Sequence, residues 1–130
     1  CDEFYGTTGE HGYGYGQDED QGQLGAWYVM AAMGLFDVQG GTCMRPTFQL
    51  GSPQFDRIVI RSGSGRSFTI ETEGNTPEAY YIQSAELNGQ PLDNCWFYRD
   101  QMSDGGTLRL RMGTEPNPAW GAETAPACTE

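Results

Sequence analysis

The sequence predicts a mainly β protein, an antiparallel β-sandwich module preceded by a single α-helix. About six or seven short runs alternate apolar and polar residues at a spacing of roughly 10–15 residues, bounded by turn signals. Glycine accounts for 19 of the 130 residues, and charged side chains for only 19%. That balance suits turn-rich β structure better than a helical bundle. One apolar stripe of helical period lies ahead of the strands.

The first 17 residues are rich in Gly and Tyr and have neither period. Gly6, Gly9, Gly12, Gly14 and Gly16 make this stretch a loop. The acidic triplet Asp18-Glu19-Asp20 follows. Leu24, Trp27, Tyr28, Ala31 and Leu35 then fall at i, i+3, i+4, i+7 and i+11, one face of a helix of about three turns. Asp20 and Gln23 fit a capping-box start, and Gly34 fits the C′ position where the helix stops. Ala26, Val29, Met30, Ala32 and Met33 make the other sides apolar too. A helix apolar all round requires cover from neighbours, and no second convincing helix follows to supply it.

Downstream, Thr47–Leu50 reads as a brief strand ended by Gly51-Ser52-Pro53. Residues 55–61 alternate around Ile58 and Ile60. Residues 67–72 put Phe68 and Ile70 on one face. Residues 79–87 form a longer strand with Tyr80, Ile82, Ser84 and Glu86 on one side. Asn88-Gly89 is a two-residue hairpin turn, so 90–92 should pair back. Residues 96–98 are a short aromatic strand, and residues 107–112 alternate Leu108 and Leu110 with Arg109 and Arg111. The period changes between Gly34 and Thr47. The boundary is therefore set there, giving residues 1–46 and 47–130.

The net charge is −11, with 18 acidic against 7 basic residues. Such a surface repels phosphate backbones and anionic bilayers, which argues against nucleic-acid or membrane partners and favours a neutral one such as a sugar. There is no apolar run of membrane length. Cys1, Cys43, Cys95 and Cys128 form no CxxC pair, so a zinc or redox motif is not expected. Their even number allows two disulfides, with three possible connectivities, and equally allows four free thiols. Opening at Cys1 without a leader, the chain reads as a processed or truncated product.

Four segments in order resemble the C-terminal region of glycoside hydrolase family 92. They are Gly16-Gln17-Asp18-Glu19-Asp20-Gln21-Gly22-Gln23 running into Ala26-Trp27-Tyr28-Val29 and Met33-Gly34-Leu35-Phe36; Leu50-Gly51-Ser52-Pro53-Gln54-Phe55-Asp56; Tyr81-Ile82-Gln83-Ser84-Ala85-Glu86-Leu87-Asn88-Gly89; and Gly105-Gly106-Thr107-Leu108, followed by Met112-Gly113, Pro116-Asn117 and Trp120-Gly121. The chain departs from the family pattern at Leu24-Gly25, at Asp37 and in a Cys-bearing insertion from Gly40 to Arg45. These departures bear on the linkage cleaved.

The resemblance implies a calcium-dependent, inverting exo-α-mannosidase acting on mannose-containing glycans, secreted or periplasmic. It also implies a β-sandwich joined to an (α/α)6 barrel that ends in β structure. Residues 1–46 would then be the end of the catalytic barrel, with its acidic loop and one late helix. Residues 47–130 would be the accessory β module. An inverting glycosidase sets two carboxyl groups about 6.5–9.5 Å apart on opposite sides of the sugar, one to protonate the leaving oxygen and one to deprotonate a water. By resemblance, Asp20 is the base and Asp18 its partner. Two residues apart on extended chain, they would point to the same side, with Glu19 pointing away. The general acid is implied to be a glutamate upstream of this chain. The calcium ligands lie largely upstream as well, so no metal ligand is assigned here. The chain alone is expected to be inactive.

Plainer readings stand beside these. Asp20 serves equally as an N-cap, and all three acids complement the helix dipole. His11 and Tyr15 are the candidate substrate contacts, against solvated and loop-packing roles; Tyr13 is a further candidate. Trp27 and Tyr28 read as core by spacing, as do Trp96 and Trp120, while Arg109 and Arg111 read as a solvated sheet face. Two competing functions are a free-standing carbohydrate-binding β-sandwich and a structural module that docks on a catalytic domain. The apolar helix separates them from the enzyme reading, because a free lectin should not carry one uncovered. Without intrachain cover it should pair with an upstream barrel or with another copy.

Overall fold

A computed structural model of the chain describes residues 22–122 and 125. The acidic triplet, His11, Tyr13, Tyr15, Cys1 and Cys128 lie outside the described residues. The chain divides into two compact units, Cys1–Met30 and Ala31–Glu130.

The described part of the first unit is most of helix α1 (Gln23–Met33), whose last turn belongs to the second. The helix carries Leu24, Trp27, Tyr28 and Ala31 of the expected stripe and stops at Gly34 as expected, whereas Leu35 falls beyond it in extended chain. Gly34 has φ +71°, and its N–H donates to the Ala31 carbonyl at 2.9 Å. A left-handed C′ residue favours glycine because it has no Cβ to clash. Of the helix residues only Ala32 is buried, while Trp27 is 40% and Val29 54% exposed.

Among its described residues the second unit holds eight strands and a short helix: β1 (Leu35–Phe36), β2 (Thr47–Leu50), β3 (Arg57–Arg61), β4 (Ser67–Glu73), β5 (Tyr81–Leu87), β6 (Gln90–Leu92), β7 (Trp96–Tyr98), α2 (Arg99–Ser103) and β8 (Gly106–Gly113). They form a three-stranded sheet, β1-β2-β7, and a five-stranded sheet, β3-β4-β8-β5-β6. The mainly β, two-sheet architecture is the predicted one. The expectation of purely antiparallel sheets needs one correction. β4 and β8 run parallel, with Ile70 opposite Leu108 and Glu71 opposite Arg109. The other ladders are antiparallel. Two sequence-distant strands meet here, and no local pattern encodes their relative direction.

The core forms where the inward faces meet. β4 buries Phe68 and Ile70, and β8 buries Leu108, Leu110 and Met112, while Arg109 and Arg111 point out as expected. Phe97 of β7 stacks on Phe68 with centroids 5.8 Å apart and an interplanar angle of 18°, and tilts against Phe48 of β2 at 5.9 Å. These three rings tie the two sheets together. Each well-buried side chain of this kind contributes about 1.5–3 kcal/mol by leaving water. The β5–β6 hairpin turns at Asn88 (φ 53°) and Gly89 (φ 76°), the two positive values a type I′ turn requires.

Residues 37–46, which contain the insertion, return over the outer face of the small sheet. The Val38 N–H donates to Gln49 Oε1 at 2.8 Å, and the Arg45 guanidinium sits 3.5 Å from the Tyr98 ring centroid. Trp96 on this face is buried and meets Tyr98 edge-on at 5.2 Å. Cys43 is buried and disulfide-bonded, whereas Cys95 is a free thiol. Neither two disulfides nor four free thiols is therefore the outcome.

Candidate functional site

The predicted catalytic pair, Asp18 and Asp20, and the predicted contacts His11 and Tyr15 fall outside the described residues. Helix α1 begins at Gln23, just after the acidic triplet in sequence. Trp120 is half-buried, and its ring N–H donates to the Leu92 carbonyl at 3.0 Å, a packing role.

In the second unit the recurring segments meet one another through hydrogen bonds. The Gly51 N–H donates to the Gly34 carbonyl at 2.8 Å, and the Gln54 N–H to the Ala32 carbonyl at 3.0 Å. The end of α1 is thereby stitched to the Gly51-Ser52-Pro53 segment. Asn75 Nδ2 donates to the Pro53 carbonyl at 3.3 Å, and the Ser52 hydroxyl donates to the Tyr80 carbonyl. Gln83 Nε2 donates to the carbonyl of Glu115 at 2.7 Å, and Asn117 Nδ2 donates to the Gln83 carbonyl at 3.0 Å. Asn88 Oδ1 accepts from the Thr107 N–H at 2.8 Å. The result is one continuous seam joining segments that are far apart in sequence. These side-chain bonds are exposed or part-buried, and together they fix backbone positions that side-chain packing alone would leave loose.

Tyr80, exposed, and Tyr81, half-buried, stand on this seam as an aromatic pair. Their ring centroids are 4.4 Å apart, and the Tyr80 hydroxyl donates to the Tyr81 hydroxyl at 3.1 Å. The neighbouring Tyr80 hydroxyl is the main cause that pushes the Tyr81 phenol above its ordinary range, with the Glu115 carboxylate a smaller one. Sequence alternation placed Tyr80 on a strand face with Ser84 and Glu86. In the structure β5 starts at Tyr81, two residues later than expected, and its register against β8 shifts between Ile82 and Ser84, which re-aims the start of the strand. Two consecutive tyrosines after a Pro-containing turn were the available signal.

The outward face of the five-stranded sheet carries a charge ladder. Arg57, Glu71, Arg109 and Glu86 lie opposite one another across β3, β4, β8 and β5. Glu71 is shared by Arg109 at 3.2 Å and Arg57 at 3.7 Å. The two arginines are well exposed, Glu71 is half-buried, and the charges alternate, so the face reads as solvated and self-compensating. A groove of about 420 Å³ runs along it, lined by residues that include Glu71, Ser84, Glu86 and Arg109.

Arg45 and Asp100 make the best-formed ion pair, with Nε 2.7 Å from Oδ2 and Nη2 3.2 Å from Oδ1. The hydrogen bond from Arg45 holds the Asp100 carboxyl below its ordinary range, and Asp100 in turn raises Arg45. Gln101 Oε1 accepts from the Tyr98 N–H at 2.9 Å, which sets the start of α2 and so aims Asp100 at Arg45. Among the described residues no three His, Cys, Asp or Glu side chains gather as a metal site would require. Also among them, no helix is long and apolar enough to cross a membrane.

A sequence model of the glycosyl hydrolase family 92 catalytic domain matches residues 1–114. An uncharacterized secreted glycosidase of Arthroderma benhamiae is 31% identical over 118 residues, which span 88% of this chain and 14% of that protein. Among solved structures, the family 92 glycosyl hydrolase ccman5 superposes with a TM-score of 0.77 at 39% identity, covering 86% of this chain. The inverting family 92 mannosidase BT2199 of Bacteroides thetaiotaomicron superposes with a TM-score of 0.73 at 36% identity, covering 84%. The chain spans 14% of the length of each of these two structures as well.

Proposed function

Because the chain belongs to glycosyl hydrolase family 92, we propose that it is the C-terminal part of a calcium-dependent, inverting exo-α-mannosidase that trims mannose-containing glycans. The observation that carries this reading is the superposition, at 36% identity, on a protein described as an inverting mannosidase, together with the family match over residues 1–114. On this reading residues 1–46 close the catalytic barrel, and residues 47–130 are the β module that follows it.

Asp20 takes the proton from the attacking water, and Asp18 shares the hold on that water. The water enters on the face of the sugar opposite the leaving oxygen, so the anomeric configuration inverts. The acid that protonates the leaving oxygen is a glutamate from the upstream part of the protein, and this chain alone is inactive. Calcium belongs to the whole protein in this reading. The described residues do not gather a ligand set for it.

Helix α1 supports placement against a larger body. Its sequence is apolar on all sides, yet only Ala32 is buried, with Trp27 and Val29 widely exposed. Such a surface calls for cover, and the upstream barrel is the partner we assign to it. Without that barrel, the same surface drives self-association. A relative named as secreted and the disulfide at Cys43 support an extracellular or periplasmic location.

Proton NMR of the full-length protein acting on a mannose disaccharide tests the activity. β-Mannose should be the first sugar to appear. Release of α-mannose first, or no release of mannose, would overturn the proposal.

A further inference from the structure

We propose that the Tyr80–Tyr81 pair, with the groove beside it, is a second glycan-binding surface for an uncharged, mannose-containing chain. The proposal rests on the mannosidase reading for the identity of the sugar, and on the following geometry for the site.

Tyr80 is 47% exposed although its ring packs against that of Tyr81. Its backbone is held from below: the Ser52 hydroxyl donates to the Tyr80 carbonyl, and Ala79 beside it is buried and donates to the Thr76 carbonyl at 3.1 Å. The ring pair is therefore presented on a fixed support, which lowers the ordering cost of binding. The two hydroxyls are in contact, so the rings hold each other in place. Gln83 links Tyr81 to the adjoining groove, because its Nε2 donates to both the Tyr81 and the Glu115 carbonyls, at 3.2 and 2.7 Å. The groove has a volume of about 530 Å³ and is lined by Gln83, Ser84, Arg111 and Glu115 among others. That volume lies within the range of small-ligand sites.

The chemistry selects a sugar. A pyranose presents C–H bonds on one face and hydroxyls around its rim. The aromatic face meets the first, as ring edges and C–H groups meet a π-cloud. Glu115, Ser84 and Arg111 supply acceptors and donors for the second. The net charge of −11 disfavours an anionic ligand. The outward charge ladder of the sheet lacks such a platform, since the aromatic of β4, Phe68, points inward.

Affinity electrophoresis of the full-length protein through gels containing yeast mannan provides the test, run beside turnover of an aryl α-mannoside. The wild type should be retarded by mannan. Tyr80→Ala should bind mannan about tenfold more weakly, the loss expected for one aromatic contact. Tyr80→Phe should keep most of the binding, and aryl mannoside turnover should stay unchanged in both. Glu115→Gln, which changes only an exposed side chain, should also weaken binding; it decides the matter if Tyr80→Ala fails to fold. Unaltered retardation in Tyr80→Ala and Glu115→Gln, or no retardation of the wild type, would overturn the proposal. So would a parallel loss of aryl mannoside turnover, because the pair would then serve the reaction itself. Failure of the mannosidase reading is read separately, as no turnover by the wild type.

Discussion

The ring of Phe97 lies almost parallel to that of Phe68, 5.8 Å away, and this stack joins the three-stranded sheet to the five-stranded one. Phe97 is 1% and Phe68 2% exposed, so neither ring has room to relax toward solvent. Phe97→Ala should cost about 3–5 kcal/mol, the range for deleting a buried aromatic and leaving a cavity. Urea denaturation of the full-length protein, followed by near-ultraviolet circular dichroism, checks this. A loss below about 1 kcal/mol would mean that the two sheets are held together elsewhere.

Gly34 has two reasons to be glycine, and they can be separated. Its φ of +71° disfavours any side chain, and a Cβ there would lie 2.7 Å from the Gly51 carbonyl oxygen and 2.8 Å from Pro53. Gly40 has a similar φ of +60°, but a Cβ there would meet nothing within 4 Å. Gly40→Ala should cost about 1 kcal/mol, the left-handed penalty alone. Gly34→Ala should cost clearly more, because the end of α1 and the Gly51-Ser52-Pro53 segment must separate. Equal losses in thermal denaturation would show that the close approach is unimportant.

The Arg45–Asp100 pair gives a pH signature. The folded Asp100 carboxyl sits below its ordinary value of 3.8. Its contribution to stability is therefore complete above that value, and is lost as pH falls through the lowered folded value. Asp100→Asn should be less stable than the wild type at neutral pH. The difference should shrink as pH falls below the ordinary carboxyl range. Both groups are about half exposed, so the effect should be small and should weaken with added salt. A difference independent of pH would contradict the assignment.

Much of the fold was legible because it depends on local signals. β2, β6 and β7 have the bounds expected from alternation, and the Asn88-Gly89 turn and the Gly34 stop fall where backbone preference puts them. Four features were not legible. β1 has two residues, too few for alternation to show, and α2 has five, too few for a helical stripe. The parallel pairing of β4 with β8 depends on which distant strands meet, and period alone does not encode that. The state of the cysteines likewise depends on tertiary proximity: spacing could not distinguish the bonded Cys43 from the free Cys95.

For the site, the chemistry came from motif resemblance around Asp18 and Asp20, since an acidic triplet before a helix is equally a cap. Tyr80 and Tyr81 were visible as residues but not as a pair. Their arrangement follows from a register shift and from the hydrogen bond of Ser52, both tertiary features.

Turnover of an aryl α-mannoside by the full-length protein carrying Asp20→Ala decides whether Asp20 is the base. The kcat should fall at least about 100-fold, the contribution of a positioned general base, with circular dichroism unchanged. Turnover at the wild-type rate in a folded Asp20→Ala protein would contradict that role.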